Sequence, residues 1–185
     1  MVIASKPSTF DLGGAKVYFP ASTFYNDFYI DLDKGMDTVR IHTPTVAAHR
    51  NFTITFDVSK YTPAERKQLF IARIAEKGQL RHNRTYKRDN TFSTRTRTLG
   101  TYTLAKDTIA PTIRPKNFKA KEWLSNYKYL SLKIMDELSG VKTVNAYLNG
   151  KWILMEYEPK KNTITYNFDD FDDKQSKYAL KIVVT

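Results

Sequence analysis

The strongest constraint in this sequence is the alternation of apolar and polar residues at every second position. Phe52-Thr-Ile-Thr-Phe56 places two phenylalanines and Ile54 on one face of an extended chain and both threonines on the other. Alternation in β-branched and aromatic residues is typical of half-buried strands. It predicts strands over 15–19, 23–32, 38–42, 51–58, 69–75, 80–87, 91–97 and 101–105, then over 109–113, 129–135, 141–148, 151–157, 163–168 and 177–184.

One short helical turn interrupts this pattern. Thr62 stands at the predicted N-cap, Pro63 at the first helical position and Glu65 at the third. This is the capping-box spacing, with proline where its missing N–H costs no hydrogen bond. No long amphipathic helix is predicted, so we expect an all-β protein.

The segment 105–113 is the predicted boundary between two tandem β-sandwich modules, residues 1–105 and 106–185. Pro111 and Pro115 interrupt strand pairing and favour an extended link. In the second module, 136–140 predicts a turn and Asn149-Gly150 predicts a hairpin. Six or seven short strands in about 80 residues predict an immunoglobulin-like sandwich. Because the alternation continues to Thr185, we expect this module to lack a last strand.

Charge and cysteine content limit the chemistry. The chain carries 30 basic and 19 acidic residues, a net of +11, which fits either acidic partners or simply a basic surface. The absence of cysteine excludes disulfides, thiolate metal sites and thiol nucleophiles. No run of 18 apolar residues is present, so no transmembrane segment is predicted, and the first residues do not form a signal peptide.

No catalytic or metal-binding set is predicted. The three histidines, His42, His49 and His82, are scattered and are interpreted as surface or partly buried side chains. The acidic stretch 169–173 could hold calcium but lacks the glycine and glutamate of an EF-hand, which favours a solvated turn. Gly13-Gly14 forms no phosphate loop, and no G-x-S-x-G motif occurs. We therefore expect a chain that is not an enzyme and binds no cofactor.

A basic cluster between residues 81 and 97 is the one positive signal. Its side chains could bind phosphates or the carboxylates of a cell-wall polymer, or could form the exposed face of a hairpin. The run 94–98 alternates threonine and arginine without an apolar face, which predicts an edge strand or one covered by a neighbour. The candidate anion-binding residues are Arg81, Arg84, Lys87, Arg88, Arg95 and Arg97.

Aromatic residues offer a second candidate surface. Tyr147 and Trp152 could form a platform for a sugar ring. We expect most of the wider aromatic set to lie in the core or in cross-strand pairs. That set is Tyr18, Tyr25, Tyr29, Trp123, Tyr127, Tyr147 and Trp152.

Several stretches together resemble a known arrangement of modules. The segments 16–29 and 42–56 resemble a β module of certain bacterial envelope proteins, and the segments 107–113, 133–140 and 147–154 resemble the immunoglobulin-like module that follows it. The set is similar to the C-terminal, non-catalytic part of lysostaphin-like zinc peptidases of metallopeptidase family 23. That family binds zinc through a histidine, an aspartate and an H-x-H motif, none of which has a matching position here.

The resemblance implies an accessory region of a secreted or periplasmic peptidoglycan endopeptidase, with a catalytic domain upstream in the same protein. It would dock onto peptidoglycan or another envelope protein in the periplasm or at the cell surface. The alternative is a stand-alone, adhesin-like module that binds polysaccharide. Nucleic-acid binding through the 81–97 cluster is the least favoured hypothesis, since no DNA- or RNA-binding motif is present.

Overall fold

The computed structural model describes residues 1–170 and 177–185. The chain is nearly all β and divides into two compact units, Met1–Thr108 and Ile109–Thr185. All strand pairs within its four sheets are antiparallel. The predicted all-β class with tandem sandwich modules is confirmed.

The first unit packs two five-stranded sheets. One has the order β1-β2-β5-β9-β8 and the other β3-β4-β10-β6-β7. The elements are β1 (Ser8–Asp11), β2 (Ala15–Phe19), β3 (Leu32–Lys34), β4 (Thr38–Ile41), β5 (Phe52–Asp57), α1 (Pro63–Gln68), β6 (Leu69–Ile74), β7 (Leu80–Asn83), β8 (Tyr86–Arg88), β9 (Thr91–Thr96) and β10 (Gly100–Lys106).

The core of this unit is formed by the inward-facing residues of both sheets. Phe19, Phe52 and Ile54 come from the first sheet, and Ile41 and Tyr102 from the second; all five are fully buried. Phe19 lies 5.0 Å from Phe52 between ring centroids, a separation typical of interacting aromatic pairs. The strand alternation read from the sequence therefore selects the correct inner face.

The short helix α1 connects the two sheets between β5 and β6. The Thr62 side chain accepts from the Glu65 amide, and the Glu65 carboxylate accepts from the Thr62 amide at 3.0 Å. The predicted capping box is confirmed, with Pro63 at its start.

The second unit packs a four-stranded sheet, β11-β12-β16-β15, with a three-stranded sheet, β14-β13-β17. In alphabetical strand notation these are A-B-E-D and C′-C-F, the order of an immunoglobulin-like sandwich. Whether a last strand is missing stays a prediction. The strands are β11 (Thr112–Pro115), β12 (Tyr129–Met135), β13 (Val144–Leu148), β14 (Lys151–Ile153), β15 (Glu156–Glu158), β16 (Thr163–Asn167) and β17 (Leu180–Val184).

Two predicted turns are confirmed in this unit. Asn149 and Gly150 link the directly paired Leu148 and Lys151, and both turn residues have positive φ, 48° and 81°. This is the type I′ geometry that suits the twist of a hairpin. The Asp136 carboxylate accepts from the Gly140 amide at 2.8 Å and closes the other turn.

The predicted strand 23–32 is wrong except at its last residue. Phe24 and Phe28 contact Ala48 and Val2 only through isolated bridges, and Ser22 turns the chain with φ of 60°. Burial of aromatic rings from a loop produced the strand-like pattern.

The predicted strands 80–87 and 151–157 are each divided between two sheets. At the first break, Thr85 Oγ1 accepts from the Ile71 amide at 2.8 Å and donates to the Asn83 carbonyl at 3.0 Å, which ends β7 and directs the chain to β8. At the second break, Leu154 and Met155 separate β14 from β15. Continuous alternation cannot report a change of sheet.

Smaller differences are one strand that was missed and two strands that begin later than predicted. Strand β1 was not predicted, β13 begins at Val144, and β11 begins at Thr112 and includes Pro115. Pro115 is tolerated because β11 is an edge strand, where a missing N–H need not cost a ladder bond.

Candidate functional site

The outer face of the first sheet is the most distinctive exposed surface of the first unit. Since Val17, Ile54 and Phe92 point into the core, their neighbours along each strand point outward. We define the outer face by Lys16, Tyr18, Thr53, Thr55, Tyr86, Arg88, Ser93 and Arg95.

Strand register aligns these residues in rows. Tyr18 lies opposite Thr53, which lies opposite Arg95. In the next row, Thr55 lies opposite Ser93, which lies opposite Tyr86. Neighbouring strands are about 4.8 Å apart, so Tyr18 and Arg95 are separated by roughly 10 Å across the sheet. Hydroxyl groups and guanidinium groups thus share one face of the sheet.

Two arginine side chains lie over the ring of Tyr86. The guanidinium carbons of Arg84 and Arg95 lie 5.3 and 5.9 Å from its centroid. Such contacts contribute about 0.5–1 kcal/mol at exposed sites, which favours ordered guanidinium groups. Tyr86 is 40% exposed, so its ring remains reachable.

The arginines of the outer face, together with Arg84 just before β8 and Arg97 just after β9, keep their hydrogen-bonding capacity for a ligand. Arg84, Arg88, Arg95 and Arg97 are all exposed and form no ion pair within residues 1–170 and 177–185. Lys16 differs, because its ammonium lies 3.3 Å from the Asp11 carboxylate. The Gly13 amide, and secondarily Lys16, lower the pKa of Asp11, which keeps that partner ionised.

Two members of the predicted cluster lie elsewhere. Lys87 donates to the carbonyls of Arg66 and Lys67, at 3.0 and 2.8 Å, near the end of α1. Its ammonium also lies 5.2 Å from the centre of the Phe92 ring. Arg81 lies on β7, at the edge of the other sheet, opposite Arg73. The cluster is contiguous in sequence but is not one surface.

Arg66 connects two loops at one end of the unit. The sequence did not predict this role. Its guanidinium donates to the Tyr61, Asp89 and Ser59 carbonyls and to the Asn90 side chain, at 2.8, 2.9, 3.1 and 2.7 Å. These bonds join the β5–α1 connection to the β8–β9 turn. No local sequence signal marks this role, since its partners lie up to 24 residues away.

The structure places the two residues of the predicted aromatic platform side by side. Tyr147 on β13 lies directly opposite Trp152 on β14, and Trp152 is 54% exposed. The wider expectation for the aromatic set holds only in part: Tyr18 lies opposite Thr53 in a cross-strand pair, whereas Tyr25, Tyr29 and Trp123 are exposed outside the strands. Tyr127 is half-buried. The buried aromatic residues are mainly phenylalanines.

The histidines are exposed or half-buried, as predicted. His42 packs against Phe28, His82 against Phe70, and His49 Nδ1 lies 3.2 Å from the Tyr25 hydroxyl. Within the described ranges, no three His, Asp or Glu side chains form a group that could hold a metal ion.

The predicted acidic turn is described only at its start. Asp169 lies in a 3₁₀ turn and accepts from the Asn167 side chain at 3.0 Å. Residues 171–173 lie outside the described residues.

The loops of the first unit form two shallow depressions that share Tyr25. One, of about 280 Å³, is lined by Tyr25, Asn26, Phe28, Val46 and Ala47. The other, of about 340 Å³, is lined by Ala4, Ser5, Ser22, Phe24, Tyr25 and His49. Both depressions are wide open, unlike the concave pockets that enclose small ligands. The outer face is therefore the stronger candidate for the functional site of this unit.

Comparison with known protein families decides the class of the first unit. A sequence model described as a Zu5-like domain matches residues 1–107, which is more than half of the chain. The chain belongs to the Zu5-like domain family. The matched region coincides closely with the unit that carries the outer face. No curated protein and no solved structure matches the chain.

In the structure, no helix within the described residues is long and apolar enough to cross a membrane.

Proposed function

We propose that this chain is a non-catalytic accessory region of a secreted or periplasmic peptidoglycan endopeptidase. In this proposal the outer face of the Zu5-like unit holds the protein to carboxylates of the wall polymer. The peptidase context comes from the resemblance of the sequence to the non-catalytic part of that family.

One observation carries the binding role: exposed guanidinium groups on and beside the outer face lack acidic partners within the described chain. Arg84 and Arg95 are held over Tyr86, and Arg88 lies two positions further along β8, on the same face of the sheet. A guanidinium can bind a carboxylate through two parallel hydrogen bonds. Ser93, Thr53 and Thr55 add hydroxyl groups that can bind sugar hydroxyls or peptide groups.

Co-sedimentation of the purified chain with isolated peptidoglycan sacculi tests this role. We expect pelleting that persists at moderate salt, together with strong loss for the Arg84→Ala/Arg95→Ala variant. Hydrogen bonds to charged groups contribute about 1.5–3 kcal/mol each, so each arginine should change affinity about tenfold or more. The matched control is Arg50→Ala/Arg114→Ala, which removes the same charge from exposed arginines outside the outer face.

The ligand chemistry is tested with sacculi whose carboxyl groups have been amidated. Binding should be lost on amidated sacculi if carboxylates are the target. Equal binding to amidated sacculi, or equal loss in both double variants, would overturn the proposal. If pelleting is lost at moderate salt, binding is nonspecific and electrostatic, and the outer face is a basic surface without a specific ligand.

The peptidase context has its own test. A zinc-peptidase domain encoded upstream in the same gene supports the accessory role. A natural start codon at Met1 with no such domain would leave the alternative, a stand-alone polysaccharide-binding module. Binding to oligonucleotides with a steep salt dependence would instead favour nucleic acid.

A further inference from the structure

The loop between β11 and β12 has an unusual composition and exposure. We call residues 116–128 the lysine–tryptophan loop. It contains four lysines, Lys116, Lys119, Lys121 and Lys128, and a single acidic residue, giving a net charge of +3. Trp123, within it, is 79% exposed. Tryptophan is highly buried on average, so a tryptophan exposed to this extent in a basic loop is a good starting point in the search for a docking surface.

The stem of this loop is fixed to the second unit. Phe118 packs against the core formed around Leu132 and Ile134. The Asn117 side chain donates to the Tyr129 carbonyl at 2.9 Å and accepts from the Ser131 amide at 2.8 Å. The loop is therefore anchored at its base.

The single acid of the loop is used internally. The Glu122 carboxylate accepts from the Lys119 amide at 2.7 Å and from the Tyr127 hydroxyl at 3.1 Å. The hydrogen bond to this carboxylate is the main reason that the pKa of Tyr127 is raised. None of the four lysines forms an ion pair with an acid in the described part of the chain. The loop thus presents an indole and lysine ammonium groups outward.

We propose that the lysine–tryptophan loop docks onto an anionic lipid bilayer, with Trp123 at the headgroup level. Tryptophan is favoured at the membrane–water interface, where its ring is partly buried and its N–H stays hydrated. Each lysine near an anionic surface contributes about a fivefold gain in partitioning. The inference is independent of the proposed function, because it uses the other unit.

Charge type favours a lipid surface over a carboxylate polymer. The loop contains lysine and no arginine. Lysine acts as a mobile point charge that suits a diffuse layer of lipid phosphates, whereas arginine supplies a fixed fork for carboxylates. On the outer face of the first unit, by contrast, the charged groups without an acidic partner in the described chain are Arg88 and Arg95, since Lys16 pairs with Asp11.

Tryptophan fluorescence gives a direct test, since the chain has only two tryptophans. In the Trp152→Phe variant, all indole emission comes from Trp123. We expect a blue shift when this variant is mixed with vesicles containing 40% phosphatidylglycerol, and no shift with pure phosphatidylcholine vesicles. Flotation of the same mixtures measures binding.

Matched variants separate the loop from general basicity. Trp123→Ala and Lys116→Ala/Lys119→Ala should each reduce vesicle binding, the lysine pair by about 25-fold. Lys142→Ala/Lys151→Ala removes equal charge from exposed positions outside the loop and should change binding little.

Three results would overturn the inference. The first is no binding to the anionic vesicles. The second is binding without a shift in Trp123 emission, which would indicate docking through another surface. The third is a Trp123 shift on peptidoglycan sacculi but not on vesicles, which would assign the loop to the wall.

Discussion

The hydroxyl of Tyr102 donates a hydrogen bond to the main-chain carbonyl of Thr98 at 2.5 Å, inside the first unit. The same hydroxyl lies 3.0 Å from that of Thr96, and Tyr102 is fully buried. Burial raises the pKa of Tyr102, so the group stays neutral and able to donate. The bond joins β10 to the end of β9.

Tyr102→Phe should lower the free energy of unfolding by about 1–3 kcal/mol. The loss arises because the buried ring can no longer donate to the Thr98 carbonyl, and because the buried Thr96 hydroxyl loses one of its partners. Urea unfolding measures it. Tyr18→Phe, on the exposed outer face, is the control and should change stability by less than about 0.5 kcal/mol. Equal effects of both changes would contradict the structural role.

Thr94→Val and Thr96→Val should have opposite effects on stability. Thr94 is fully buried, and its hydroxyl has no hydrogen-bond partner within the described chain. Replacing it with an isosteric methyl group should stabilise the protein by about 1 kcal/mol. Thr96 accepts from the Thr98 amide at 3.1 Å and pairs with Tyr102, so its replacement should destabilise. Thermal unfolding of the two variants gives the signs, and a shared sign would contradict this account.

Arg66→Ala should destabilise the first unit by about 3 kcal/mol. The change leaves the carbonyls of Asp89 and Ser59 without this donor and disconnects two loops. Arg66→Lys should recover only part of the loss, because an ammonium cannot reproduce the planar fork. The exposed neighbour Lys67→Ala is the control. If denaturant unfolding gives Arg66→Lys the same stability as wild type, the guanidinium hydrogen bonds of Arg66 do not hold the two loops together.

Lys87→Ala should separate stability from ligand binding. Lys87 bonds to carbonyls near the end of α1, so its loss should cost about 1 kcal/mol of stability and leave binding to sacculi unchanged. Arg95→Ala should leave stability unchanged and reduce binding to sacculi. Melting temperature and co-sedimentation, measured on both variants, form the test. Loss of binding in Lys87→Ala without loss of stability would show instead that Lys87 takes part in anion binding.

Acid should weaken the contact between Asp37 and Lys60. Burial of the Asp37 carboxyl opposes its ionisation, but hydrogen bonds from Lys60, at 2.6 Å, and Tyr61 outweigh burial and lower the pKa of Asp37. A carboxyl with a lowered folded pKa stabilises above its unfolded value near 4, and this stabilisation is lost as the pH falls through the folded value. Because the pair is partly exposed, the contribution should stay within about 1 kcal/mol.

Asp37→Asn measures this contribution. The variant should be less stable than wild type at pH 7, and the difference should shrink between pH 5 and 2.5. Asp33→Asn, at an exposed position on β3, is the control. A difference that stays constant across this range would exclude an ionic contribution from Asp37.

Much of this fold is contained in local sequence patterns. The capping box at Thr62 and the Asn149-Gly150 hairpin are set by residues within a few positions of each other. Period-two alternation located most strands, and it placed Phe52, Ile54 and Phe56 on the inner face. These features depend on short-range sterics and hydrogen bonds, which a sequence expresses directly.

The assignment of strands to sheets depended on longer-range contacts. Residues 80–87 read as one strand, yet Thr85 bonds to Ile71 and divides them between two sheets. The basic cluster was accordingly only partly predicted. Register places Arg95 in a row with Thr53 and Tyr18, while Lys87 turns toward α1.

The sequence by itself therefore determined an all-β chain with two modules, its main turns and an excess of basic over acidic residues. Only the tertiary structure decided which arginines share a surface, which aromatic rings are exposed, and that Arg66 joins two loops. The physical reason is that alternation fixes the side of a strand on which a residue lies. Cross-strand register and hydrogen bonds between distant segments fix its neighbours.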